Sequence, residues 1–254
     1  MLTTDHRKEK VLFVLNPEAG PGIQQDLEDE IKQLAARQPF EYRIHKTRGD
    51  HDAARLRKAL DEFNPAIAVA AGGDGTVNLV ACQILDRETR LGIIPLGSSN
   101  GLAYQLNIPD QPASALKNIF SGEIKSIDAI QFDGEHICLH LSDLGMNARV
   151  IKRYENEGVR GLYGYARQYF KELGKTIKFR CSVHTGDQHI TATVVMVVLA
   201  NASFYGTGAN INPEGRPDDG RFEVILVQSY PFWFLLYMLS TFFIRKNRIL
   251  FCWI

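Results

Sequence analysis

No excess of either charge marks this 254-residue chain: Lys plus Arg and Asp plus Glu both number 29. The basic surplus by which nucleic-acid binders are recognised is therefore missing, and an anionic partner would have to be gripped locally. The four cysteines, Cys82, Cys138, Cys181 and Cys252, are scattered and form no CxxC pair. That argues against a zinc site or a disulfide framework and fits a reducing cytoplasm. Internal repeats and low-complexity tracts are lacking too. The opening MLTTDHRKEKVLFVLNPEAG has no secretory h-region, since its apolar stretch is about five residues and runs into Asn16-Pro17. A long uncharged run does occur from Leu226 to Ile244, ahead of the basic segment RKNR. It approaches the roughly 20 residues of a membrane span, but Gln228, Ser229 and Pro231 lie inside it. A strand end followed by a buried or membrane-facing helix is the preferred reading.

What is present divides into two styles of sequence, on a chain long enough for two modest domains. In the first half, short β-rich runs alternate with helical patterns. VLFVLNP (11–17) precedes a polar helix over 24–37, FEYRIHKT (40–47) precedes a helix over 52–63, AIAVAAGG (66–73) precedes TVNLVACQIL, and LGIIPLG (91–97) precedes SSNGLAYQL. Strands separated by helices of this length predict βαβ units and a parallel sheet, with ligands beyond the carboxyl ends of its strands. From about Ile124 the runs alternate as antiparallel strands do: SIDAIQF, EHICLHLSDLG, TIKFRCSVHT, HITATVVMVVLANA and RFEVILVQ. Asp133-Gly134 signals a hairpin, and a helical pair is expected over 149–157 and 162–173. The expected division is 1–123 for the α/β domain and 124–254 for the β domain.

The chemistry concentrates at the ends of the first four strands. Gly72, Gly73 and Gly75 remove three Cβ atoms from one turn, so several backbone N–H groups can face an oxygen-rich ligand, and the helix starting near Thr76 adds partial positive charge. Polyphosphate would suit such a turn, although glycines that merely permit a tight turn would look the same. Asn16, Thr47 and Ser98, with Ser99 and Asn100, end the other three strands. Each alone reads as a cap, but four polar strand ends on one sheet edge read together as a site. Asp74 is the awkward member, a carboxylate where phosphate would lie. It makes sense if Mg²⁺ sits between, or if it receives a proton from an attacking hydroxyl; the plain alternative is a capping aspartate.

GGDGTVN, preceded by NPEAG and Thr47 and followed by PLGSSNGLA, resembles the diacylglycerol kinase catalytic-domain family, which also contains sphingosine and ceramide kinases. LSDLGMNARV and LANASFYGTGANINPEGRPDDGRFEVILV continue the resemblance, so it spans nearly the whole chain. It implies an α/β domain like that of phosphofructokinases and NAD kinases plus a β-sandwich domain, with ATP between them and a lipid hydroxyl as acceptor. By the same resemblance, Asn16, Thr47, Gly72, Gly73, Asp74, Gly75, Thr76, Val77, Asn78 and Ser98 become ATP contacts. Asp219 becomes a ligand of a structural Mg²⁺, with the backbone carbonyls of Arg216 and Arg221 beside it. Without the family, PDDG is an ordinary turn.

Three departures qualify the resemblance. Gly101 and Asn147 stand where many members have aspartate. The chain also reaches Ile254 without the Asp-Gly-Glu segment whose glutamate is the family's proposed general base, so it reads as a shortened member or as one in which Asp74 receives the proton. A lipid kinase is the expected function; a catalytically impaired nucleotide- or lipid-binding remnant and an NAD kinase-like enzyme are the alternatives. The expected setting is cytoplasmic and peripheral to a membrane. Lys152, Arg153, Arg160, Arg167 and Lys171, interleaved with aromatics, would meet anionic lipid there or form a solvated helix face. A β-domain edge could also pair two copies into a homodimer.

Overall fold

The computed structural model describes residues 8–20, 22–38, 40–134, 136–146, 148–149, 177–186, 188–205 and 209–228. Almost all of the expected helical pair, Asn147, and the apolar run beyond Gln228 lie outside these residues. Among the described residues, no helix is long and apolar enough to cross a membrane. The chain divides into two compact units, Met1–Ser126 with Gln131–Ile137 and Ile127–Ile130 with Cys138–Ile254.

In the first unit, β1 (Glu9–Leu15), β2 (Phe40–Lys46), β3 (Ile67–Gly72) and β4 (Arg90–Pro95) form one parallel sheet in the order β2-β1-β3-β4. The helices are α1 (Ile23–Arg37), α2 (Asp52–Phe63), α3 (Asp74–Ile84), α4 (Gly101–Gln105) and α5 (Pro112–Ser121). Strands covered on both faces lose the polar alternation of a half-exposed sheet, and β3 is buried at every residue. Val11, Phe13 and Leu15 of β1, with Ile67, Val69 and Ala71 of β3, pack on one face with Leu27 and Ile31 of α1 and Ala115 and Leu116 of α5. The intervening Ala68 and Ala70 are small, which suits the close packing of α3 on β3. Helix α2 stops at Asn64, a left-handed residue followed by Pro65.

The strand order fixes where a ligand can enter. β1 has β2 on one side and β3 on the other. The connections therefore diverge between β1 and β3 and leave a crevice beyond their carboxyl ends.

The second unit is antiparallel. Strands β7 (Leu141–Gly145), β10 (Met196–Ala200) and β13 (Glu223–Val227) form a sheet in the order β13-β10-β7. β8 (Phe179–Thr185) and β9 (Gln188–Val194) form a hairpin, and β11 (Phe204–Tyr205) pairs with β12 (Ala209–Asn210). The run over 189–202 is two strands, not one. At Val195 the chain leaves β8 for new partners, with the Val195 N–H bonded to Val227 O at 2.8 Å and its carbonyl accepting from Met146 at 3.0 Å. Short strands β5 (Ile130–Phe132) and β6 (His136–Cys138), most of whose residues belong to the first unit, pair across Asp133-Gly134. Both turn residues have positive φ, 50° and 76°, as an Asp-Gly hairpin requires.

Asn201 is a fixed point of this unit. It is 1% exposed, and its amide donates to Asp128 O at 2.8 Å and Leu139 O at 2.9 Å. Replacing Asn201 with Ala leaves two carbonyls without their donor, so the denaturant midpoint should fall by the equivalent of about 2–4 kcal/mol.

Candidate functional site

At the ends of β1 and β3, side chains expected as ligands first hold the strand ends together. The Asn16 N–H donates to Ala71 O at 3.0 Å. Its side-chain Oδ1 accepts from the Glu18 N–H at 3.0 Å, and its Nδ2 donates to Thr76 Oγ1 at 3.2 Å. Thr76 is buried, and a Cβ on Gly72 would land inside its side chain. The first glycine of the turn is thus a packing requirement of Thr76.

The second glycine meets the next turn. A Cβ on Gly97 would come within 2.5 Å of Gly73 Cα, so the turns after β3 and β4 touch backbone to backbone. Asn100, left-handed at φ 50°, exchanges hydrogen bonds with Gly97: Gly97 N–H to Oδ1 at 2.9 Å and Nδ2 to Gly97 O at 2.8 Å. Asn100 gives the following helix no side-chain cap bond, so the plain alternative of a capping loop does not hold for it. The cap comes from Asp74, whose Oδ2 accepts from the Gly101 N–H at 3.0 Å and whose Oδ1 accepts from the Leu102 N–H at 3.2 Å. Asp74 sits in the first turn of α3 and caps α4, binding the two turns into one floor. Each carboxylate oxygen still has lone-pair capacity on its other side.

Gly75 differs from its neighbours. It is exposed, its φ is not positive, and a Cβ placed on it would meet nothing within 4 Å. A glycine inside a helix costs about 1 kcal/mol relative to alanine, and no packing of this fold asks for one here. The first N–H groups of α3 lack intrahelical acceptors by geometry, so the open space above Gly75 lies at a ready-made anion position. Ser98 is exposed nearby in sequence to this floor, on the loop that Asp74 and Asn100 hold. Val77 points its side chain into the core and bonds its N–H to Gly73 O at 3.1 Å. Asn78 is half-buried, with Nδ2 3.9 Å from Cys82 Sγ.

Thr47 follows β2. It is buried, with its N–H bonded to Leu15 O at 2.9 Å. A cavity of about 410 Å³ lies around its chain neighbours, lined by Glu28, Ile44, His45, Lys46, Arg48 and Arg55. Lys46 pairs with Glu28 at 2.7 Å, and Arg55 pairs with Asp52 at 2.6 Å. Arg48, which sequence reading passed over, has no carboxylate partner among the described residues; only its position beside Thr47 marked it. Burial pushes the Asp52 carboxyl up, but hydrogen bonds from the Arg48 and Gly49 amides and the Arg55 guanidinium outweigh that and hold it below its usual range. Burial, reinforced by Arg55 and Arg48 and opposed by Asp52, holds His45 below its ordinary value.

In the second unit, the residues expected at a cation occupy a clasped loop. Asp219 Oδ1 accepts from the Arg221 N–H at 3.0 Å, and the Gly220 N–H donates to Asp128 Oδ2 at 2.7 Å. The Asp128 N–H in turn donates to Pro217 O at 2.6 Å. Arg216 turns its side chain to Asp218 at 3.4 Å. Ser203 Oγ donates to Gly215 O at 2.7 Å, and the buried Asn212 bonds Glu223. Asp128, Asn201, Ser203 and Asn212 were missed as loop supports; an acid inside the apolar run SIDAI was the one available signal. No group of three or more His, Cys, Asp or Glu able to hold a metal occurs among the described residues. A cation here would need backbone carbonyls beside Asp219, which is the hard-oxygen donor set that Mg²⁺ takes.

Comparison with known proteins places both units. The diacylglycerol kinase catalytic domain matches residues 10–132, and the YegS C-terminal NAD kinase beta sandwich-like domain matches residues 142–245. The first unit is accordingly an α/β domain of the former type, and the second is an antiparallel, β-sandwich-like domain of the latter. Proteins of Yersinia pestis (strain Pestoides F) and Yersinia pseudotuberculosis serotype O:1b, each named "Probable lipid kinase YegS-like", are 27% identical over 218 residues, which is 84% of this chain and 71% of theirs. The crystal structure of a diacylglycerol kinase from Bacillus anthracis superposes with a TM-score of 0.70 at 25% identity, over 91% of this chain and 80% of that one. A second structure from that organism gives a TM-score of 0.69 at 26% identity, over 86% and 75%.

Two measurements test this geometry. Gly97→Ala drives a methyl group into the Gly73 backbone, so it should lower the melting temperature while Ser98→Ala does not. The folded state also takes a proton on His45 less readily than the unfolded chain. The stability contributed by the neutral ring is full above about pH 6.5 and declines as pH falls below it. Denaturant midpoints between about pH 7.5 and 5.5 should show this decline, and His45→Asn should flatten it.

Proposed function

We propose that this chain, whose two halves match the diacylglycerol kinase catalytic domain and the YegS C-terminal domain, transfers the γ-phosphate of ATP to a hydroxyl of a diacylglycerol-like or sphingoid lipid at a membrane surface. The observation that carries this reading is Gly75, a helix glycine without a structural cause, beneath open space at the β1/β3 crevice. In it, the first amides of α3 receive phosphate oxygens, Ser98 and Thr47 bring hydroxyls, and Arg48 brings a guanidinium from the β2 side. Asn16 and Thr76 hold the floor to which these groups are attached.

Asp74 has two tasks in this proposal. It keeps the Ser98 loop in place through the Gly101 and Leu102 amides, and with its remaining lone pairs it receives the proton of the lipid hydroxyl. A divalent cation, when bound, screens the charge of the transferring phosphoryl group. Asp219 and the Arg216 and Arg221 carbonyls would hold a second, structural cation in the other unit.

The test is nucleotide binding and lipid phosphorylation with labelled ATP over diacylglycerol, phosphatidylglycerol, ceramide and sphingosine. Gly75→Ala should bind ATP at least about tenfold more weakly while keeping or gaining up to about 1 kcal/mol of stability. Asp74→Asn should lose about a hundredfold or more in turnover, and because its amide nitrogen can accept from neither Gly101 nor Leu102 it should also bind nucleotide more weakly. Equal turnover by wild type and Asp74→Asn removes Asp74 as proton acceptor, and ATP binding without transfer to any lipid favours a nucleotide-binding remnant.

A further inference from the structure

The β8–β9 hairpin carries side chains that phosphoryl transfer does not use. Its ladder runs from Phe179–Val194 to Thr185–Gln188, with two residues connecting the strands. A two-residue connection makes the closing pair, Thr185–Gln188, hydrogen-bonded, so the next pair is of the non-hydrogen-bonded kind, whose side chains approach most closely. That pair is His184–His189. The two imidazoles lie with centroids 4.0 Å apart and planes 11° from parallel, and both residues are exposed. Thr191 Oγ1 is 3.2 Å from His189 Nε2, and Ser182 Oγ is 2.8 Å from Thr191 Oγ1.

We infer that His184 and His189 form a surface site for a borderline divalent transition ion such as Cu²⁺, Ni²⁺ or Zn²⁺, each ring giving one nitrogen. Metal–imidazole bonds are about 2.0–2.1 Å long, so two ligating nitrogens must come within about 4 Å of each other. The hairpin holds the two ring centroids 4.0 Å apart, so bringing one nitrogen of each ring together needs ring rotation alone. Torsions about the imidazole axis are broad, so the His184 lone pair can turn toward a point in the plane of the His189 ring without backbone movement. In the tautomer protonated at Nε2, His189 donates to the Thr191 hydroxyl, which leaves Nδ1 as the ligand and fixes the ring, the usual outer support of a metal-bound histidine. The described residues supply no third His, Cys, Asp or Glu to the group. The remaining coordination positions are therefore open to water or to a group from another molecule. Imidazole pairs favour Cu²⁺ over Zn²⁺ and do not suit Mg²⁺, which separates this site from any cation on the Asp219 loop.

The test titrates the full chain with Cu²⁺, Ni²⁺ and Zn²⁺ by calorimetry, and follows the Cu²⁺ complex by electron paramagnetic resonance, with Mg²⁺ as the control. The expected result is a Cu²⁺ complex with two nitrogen ligands from this pair. His184→Asn and His189→Asn should each weaken it at least about tenfold, because the chelate is lost, and Thr191→Val should weaken it by about tenfold through the released ring. The histidines elsewhere, His6, His45, His51, His136 and His140, remain in every variant and cancel in the difference. Unchanged affinity in the double variant overturns the site, as does a wild-type chain that binds neither Cu²⁺ nor Zn²⁺. Unchanged affinity with a lower melting temperature in EDTA would assign the stacked rings to packing alone.

Discussion

The carboxylate of Asp74 is the interaction on which the carboxyl edge of the parallel sheet depends. Without it the turn after β3 and the turn after β4 would be held by the Leu96 N–H bond to Gly72 O at 2.9 Å and by a contact of two glycines that excludes side chains. With it, α3 and the loop bearing Ser98 become one surface. The location is set by the strand order, since the divergence between β1 and β3 puts this surface where a parallel sheet can admit a ligand. The charge is set by the helix, whose first amides face outward.

A different economy governs the antiparallel unit. Among the described residues its apolar core is built on Val195, Val198, Ala200, Ile211, Ile225 and Val227. The loop that carries Asp219 is held instead by polar groups: Asp128 from both sides, Ser203 through Gly215, and Asn212 through Glu223. Such networks give one geometry when their members are paired.

Much of this was legible in the sequence where a single physical rule decides the outcome. Continuous apolar runs such as AIAVAAGG, short and ending in Gly-Gly, read as strands covered on both faces, and Asp133-Gly134 left little choice of turn. The helix over 52–63 begins and ends where its polar flanks and Asn64-Pro65 place it. What could not be read were the long-range partners of polar side chains. Asp74 looked like a ligand or a cap of its own helix, because nothing local announces that it reaches Gly101 and Leu102. Asn100 looked like a cap, although it closes its own loop on Gly97. Asn16 and Thr76 looked like two separate ligand contacts, whereas they bond each other across 60 residues.

The clasp of Asp128 on Gly220 spans 92 residues of chain, whereas every strand of the parallel sheet is in hand by Pro95. A chain emerging from the ribosome can therefore assemble the ladder of its first sheet while the partner of Asp128 is still unmade. Loop-closing contacts of such separation form late because their entropy must be met before they return anything. The order of synthesis thus becomes an order of assembly, in which the floor built on Asp74 precedes the Asp219 loop.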